Sequence, residues 1–311
     1  MPVTVVGSIA FDAVRTPAGE RARMLGGAAT HFALAASFFT EVRVVGVVGE
    51  DFGEGDLEIL GTRGTTTDDV ERVAGGRTFF WSGAYREDLN VRDTLDTQLN
   101  VFADFKPRLS EAARRSETLF LANIVPAVQR EVREQCDGAR FVALDSMDLW
   151  IATARDDLVD VLRSVDCLLL NDEEIEMLTG EPTVLAAAHR LLSWGPRVVV
   201  AKQGKYGAGL ITQEGSFWLP AFPLHRVVDP TGAGDTFAGG FVGFLDAHRD
   251  EEVTLDLLRR AMAYGSAIAS FNVEAFGTER VVGLTGEEIA ARVEELGRIT
   301  RFEDRPVRLR A

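Results

Sequence analysis

Short apolar runs recur through this chain at Val3 to Val6, Val42 to Val48, Leu119 to Ala122, Phe141 to Leu144, Cys167 to Leu170 and Val198 to Ala201. They are continuous rather than alternating, which is how strands covered on both faces read. Helix-length segments separate several of them: Ala28 to Phe39, Pro126 to Cys136, Thr153 to Arg163 and Thr183 to Trp194. This alternation predicts an α/β fold with a doubly wound, mainly parallel sheet flanked by helices. A chain of 311 residues is long for one compact domain, yet α/β folds of that size often stay single, so one main domain over 1–311 is expected. Residues Thr65 to Lys106 break the rhythm. There Arg77 to Tyr85 and Gln98 to Phe105 read as paired strands with no useful helix between them, which predicts a small β lid.

The strands end in polar or glycine residues: Gly7-Ser8, Gly49-Glu50-Asp51, Asn123, Asp145, Asn171 and Lys202. Each alone is an ordinary turn former. Together they point to the carboxyl edge of the sheet, where open α/β sheets bind ligands.

The densest chemistry lies in Asp229-Pro-Thr-Gly-Ala-Gly-Asp-Thr-Phe237. Phe237, Phe241, Phe244 and Leu245 share one face at helical period, so a packed helix begins at or just after Gly232. Its first turn offers unpaired N–H groups and positive dipole potential, and Gly232, Ala233 and Gly234 let an anion come close. Asp235 stands beside that anion site, where a carboxylate can take the proton of an attacking hydroxyl. In isolation such an Asp equally caps a helix. Two competing nucleotide patterns fail: Phe237 stands where a dinucleotide fingerprint needs glycine, and no G-x-x-x-x-G-K-[ST] occurs.

Composition narrows the classes. The chain is 46% hydrophobic and 26% charged, which argues against extensive disorder. Its net charge of −15 repels nucleic acid and anionic membranes, so neither is an expected partner. Cys136 and Cys167 do not suggest a disulfide framework, and the early residues lack a basic segment or long apolar run. A cytoplasmic location without signal peptide or membrane span is expected.

The 229–237 string resembles the C-terminal signature of the ribokinase-like (PfkB) family of carbohydrate and nucleoside kinases, and the resemblance runs from Gly7 to about Gly277. It implies an ATP-dependent kinase that phosphorylates a hydroxymethyl group of a sugar or nucleoside. Asp235 is then the base, Gly232, Ala233 and Gly234 steady the phosphoryl group, and magnesium accompanies ATP. Gly7-Ser-Ile-Ala-Phe-Asp12 resembles the family's Gly-Ser-x-x-x-Asp, so Asp12 is expected on sugar hydroxyls. Gly26 and Gly27 match the N-terminal signature against the sugar, while His31 replaces the usual Asn, as a hydroxyl or ring contact or a packed residue. Ala28 stands where many members carry Lys, which argues against an already phosphorylated acceptor. Asn171 with Glu174 resembles the Asn-x-x-Glu of the magnesium network, though three consecutive acids also suit a capped helix start. Lys202, Gly204 and Gly207 resemble the nucleotide loop; alone they also suit a hairpin turn. Asp229 and Thr231 are carried over to potassium. The resemblance also implies lid segments at about 10–25 and 65–106, and a homodimer through the lid is an open possibility. The alternative is a catalytically silent sugar- or nucleoside-binding regulatory protein on the same fold. Residues Arg298 to Ala311 read as a surface tail.

Overall fold

A computed structural model describes residues 2–302; most of the expected tail lies outside them. The strands are β1 (Val3–Val6), β2 (Ala10–Thr16), β3 (Gly19–Gly26), β4 (Val42–Gly49), β5 (Thr66–Val73), β6 (Phe79–Tyr85), β7 (Arg92–Gln98), β8 (Thr118–Leu121), β9 (Phe141–Asp145), β10 (Cys167–Asn171), β11 (Val198–Lys202), β12 (Ala208–Thr212) and β13 (Ser216–Leu219). Nine of them form the main sheet in the order β13-β12-β11-β10-β9-β8-β1-β4-β5. It is parallel from β11 to β5, and β12 and β13 join antiparallel.

The six apolar runs are the six central strands, because each buries both faces. One side is covered by helices Ala28–Ala36, Ala233–Ala247 and Leu255–Asn272, whose Phe32, Phe241 and Met262 join Val5, Val44 and Leu169. On the other side Val132, Leu158 and Leu191 of three further helices meet Leu121, Leu144 and Val199. From β1 the chain first builds outward through β4, then returns to β8 on β1's opposite side. The order therefore reverses between β1 and β8, and a crevice opens at their carboxyl ends.

The remaining strands form a second sheet, β3-β2-β6-β7, which lies over this edge as a lid. Its hairpin differs from the sequence expectation. The partner of β6 is Arg92–Gln98, paired Phe80 to Gln98 and Tyr85 to Arg92, while Asn100–Asp104 is a 3₁₀ turn rather than strand. The reason is polarity: Arg92 to Gln98 is exposed throughout and carries no apolar run to betray a strand. The expected lid segment 65–106 is also too long: Thr66–Val73 is the half-polar outer strand of the main sheet, parallel to β4, and not part of the lid.

Candidate active site

Helix Ala233–Ala247 starts where the Phe237 periodicity predicts, with Gly232 as its N-cap at φ 73°. That left-handed turn admits no side chain, since a Cβ on Gly232 would strike the His31 imidazole. His31 is buried and lies against the turn; burial holds its imidazole down at about 4, so it is neutral. Its Nε2 has no hydrogen-bond partner among the described residues.

The anion turn is only partly free. Ala233 donates its N–H to the Pro230 carbonyl at 3.2 Å, and Thr236 donates to Gly232 at 2.8 Å. The N–H groups of Gly232 and Gly234 find no acceptor among the described residues. The three-residue cradle is thus chiefly two glycine amides.

Around it stand five carboxylates: Asp12, Asp145, Glu174, Asp229 and Asp235. Four are buried, and Asp235 is half-buried at the crevice. Burial, reinforced by Asp145, pushes the Asp235 carboxyl up to about 7. Burial, with Asp229 and Asp235 nearby, pushes Asp12 to about 8. Lid and body thus bring Asp12 and Asp235 into one electrostatic unit. Gly26 makes room for this, because a Cβ there would overlap the Asp12 carboxylate.

Lys202 is the cation of the group. Its Nζ donates to Asp145 Oδ2 at 2.6 Å and lies 3.2 Å from where a Cβ of Gly234 would stand. Burial opposes its charge, but Asp145, Glu174 and Asp235 outweigh it and raise its pKa. Asp145 is the site residue that sequence reasoning noted only as a strand end. The available signal was register: Asp145 and Lys202 close β9 and β11, one strand apart across β10.

Asn171 and Glu174 form a reciprocal cap on helix Asp172–Thr179. Glu174 N donates to Asn171 Oδ1 and Asn171 N to Glu174 Oε2, both at 2.8 Å. Glu174 Oε1 accepts nothing among the described residues, and burial raises this carboxyl to about 7. Asp229 is wholly buried and takes the N–H of Thr231 at 2.9 Å and of Gly277 at 3.0 Å, so it pins the loop after helix Leu255–Asn272 to the turn. Thr231 donates its hydroxyl to Tyr85 at 3.2 Å. Both residues expected at a potassium site therefore carry structural bonds. Asn272 adds a third tie, donating to Thr231 O at 2.8 Å.

Gly204 and Gly207 shape the turn after β11, with Gln203 donating to Gly207 O at 2.8 Å. The lid hairpin touches this loop. Asn90 Oδ1 lies 2.7 Å from where a Gly204 Cβ would stand, and Lys205 pairs with Asp88 at 3.0 Å. No group of three or more His, Cys, Asp or Glu side chains gathers to hold a metal among the described residues.

The pattern of pfkB family carbohydrate kinases matches residues 3–282. The chain belongs to that family. It is a kinase of the sugar or nucleoside class, a phosphotransferase with an alcohol group as acceptor. Cytidine kinase of Thermococcus kodakarensis is 29% identical over 251 residues, 78% of this chain and 87% of that one. Nucleoside kinase of Methanothermobacter thermautotrophicus is 35% identical over 124 residues, 40% of this chain and 37% of the other. The nucleoside kinase of Burkholderia thailandensis, solved with inosine, superposes with a TM-score of 0.79 at 18% identity, over 94% of this chain and 97% of that one. A putative ribokinase II from E. coli, solved with ATP and Mg²⁺, gives 0.77 at 18%, over 94% and 99%. At these identities the two superpositions show a shared fold. No helix among the described residues is long and apolar enough to cross a membrane.

Proposed function

We propose that this PfkB kinase transfers the γ-phosphoryl group of magnesium-bound ATP to the hydroxymethyl group of a nucleoside. The observation that carries the reading is the convergence of Asp12 and Asp235 beside the free amides of Gly232 and Gly234. In this mechanism Asp12 accepts hydrogen bonds from the vicinal hydroxyls of the ribose, with Gly26 and Gly27 against the ring. Asp235 takes the proton of the hydroxymethyl group as its oxygen attacks phosphorus. The bond from γ-phosphorus to the bridging oxygen breaks, and ADP leaves. The Gly232 and Gly234 amides meet the charge on the transferring group. Lys202 with the Gly204 to Gly207 loop stands on the nucleotide side.

Magnesium fits this donor set as a companion of ATP. It keeps several waters and asks for only one or two carboxylates besides phosphate, and Glu174 offers an unused oxygen. It would draw off charge that the five carboxylates and ATP accumulate.

A nucleoside is favoured over a free sugar by Trp81. Its indole is cross-strand from Asp12 and packs over Gly83, on the same lid face as Tyr85, so it presents a ring beside the ribose position. The cytidine kinase relative supports this acceptor class. A lid-to-lid dimer is part of the proposal: β7 is a bare edge, with its Leu95 and the flanking Val91 and Leu99 exposed, and sedimentation tests it.

The test is ADP release from Mg-ATP against nucleosides, pentoses, hexoses and sugar acids, with and without potassium. A nucleoside should turn over fastest. A pentose preference would reject the Trp81 argument, whereas tight nucleoside binding with no ADP formed would favour the silent binding protein.

A further inference from the structure

We propose that Arg92, on lid strand β7, is a catalytic residue whose guanidinium binds the oxygens of the phosphoryl group in transfer. The inference rests on the kinase reading above and adds the cation that the body of the protein does not spare.

Placement comes first. Arg92 is the cross-strand partner of Tyr85, so both side chains leave the same face of the lid sheet. That face looks onto the anion turn, because the Tyr85 hydroxyl accepts from Thr231, one residue before Gly232. The guanidinium stands beside the Tyr85 hydroxyl and is near enough to Asp235 to favour its ionised form. Phosphoryl oxygens cradled by the Gly232 and Gly234 amides would sit between these groups.

Demand comes second. Five carboxylates crowd the site, and Lys202 is bound to Asp145 at 2.6 Å. A phosphoryl group passing through a metaphosphate-like state carries charge on three oxygens, which two amides and a shared magnesium answer only in part.

Supply comes third. Arg86, the neighbouring arginine of the hairpin, is forked onto Asp93 at 3.0 and 2.8 Å. Arg92 has no carboxylate within ion-pair distance among the described residues; its loose neighbour is the Trp81 ring, 5.8 Å from the guanidinium carbon. An unspent planar fork suits phosphoryl oxygens better than an ammonium would. The lid then delivers charge as well as cover.

The experiment compares Arg92→Gln and Arg92→Lys with wild type in steady-state phosphoryl transfer, with Arg86→Ala as the lid control. For Arg92→Gln we expect kcat to fall by about 10²–10³ with the acceptor KM changed little, partial activity in Arg92→Lys, and a near-normal control. Guanidinium chloride at millimolar concentration should restore part of the Arg92→Gln rate. Arg92→Gln within about twofold of wild type would overturn the inference while leaving the kinase reading intact. So would an equal loss in Arg86→Ala, or a lost rate that guanidinium does not restore, since either marks a fault in lid packing. A wild-type chain that forms no phosphorylated product overturns the kinase reading itself.

Discussion

At the scale of single residues, the site is held by mutual electrostatic strain among carboxylates, and function asks for charges that folding resists. With its carboxyl at about 7, Asp235 is only half ionised near neutrality in the free chain. A base must be ionised to work, so kcat/KM for the acceptor should rise with pH and level off above about 7. Asp235→Asn should lower kcat by about 10² or more and abolish that limb; a pH–rate series on both proteins checks this. Asp12 makes the opposite point. Its folded pKa, about 8, lies far above the unfolded value, so the native state binds the extra proton. Stability is then lost as pH climbs from the unfolded pKa toward 8. Asp12→Asn should therefore be more stable than wild type at pH 8.5, by about 1–2 kcal/mol, and less advantaged at pH 5.5, while losing acceptor binding. Urea titrations at both pH values decide it, and equal stability at pH 8.5 would rule out the strain. The glycine string announced Asp235 in the sequence, whereas Asp145 stayed inconspicuous: an Asp at a strand end looks like a turn residue until the sheet order brings the Lys202 ammonium onto it.

At the scale of elements, the helix Ala233–Ala247 must be fixed to within a fraction of an ångström for its first turn to serve chemistry. It is fixed by close approach. A Cβ on Gly239 would strike the Phe32 carbonyl, and one on Gly243 would come within 2.8 Å of the Ala36 backbone. Helix Ala28–Ala36 thus presses backbone to backbone on the active-site helix, and the pair carries His31 against Gly232. Gly239→Ala should push the two apart, cost about 1–3 kcal/mol and reduce kcat more than acceptor binding; thermal melts with kinetics measure both. A variant with wild-type melting and turnover would mean that the contact does not set the turn. This helix was legible because glycine punctuation and aromatic period agree on its start. The hairpin β6–β7 was legible only in half. Apolar content marks β6, but β7 is an exposed edge whose pairing comes from β6 and not from a buried face, so period and hydropathy carry no signal for it.

At the scale of the whole molecule, we propose that lid and body unfold as one domain, because the lid is anchored unequally. Strand β2 follows β1 after three residues, and its Phe11 is part of the main core, 5.7 Å from Phe52. Strand β3 returns through Gly26 directly into helix Ala28–Ala36. That half of the lid cannot leave without breaking the body. The hairpin β6–β7 is held by β2 along one edge, by Tyr85 on Thr231 and by the Asp88–Lys205 pair, which is solvent-exposed and therefore adds little. Calorimetry should then give a single transition, while amide exchange grades from fast in β7 to global-unfolding rates in β2. Acceptor and Mg-ATP together should slow exchange in β7 by more than either does alone, since the hairpin touches Thr231 of the anion turn and Gly204 of the nucleotide loop. Two resolved calorimetric transitions would make the lid a domain of its own. Exchange in β7 unmoved by both ligands would mean that the hairpin does not close on the site, and with it the route by which Arg92 reaches phosphate would go.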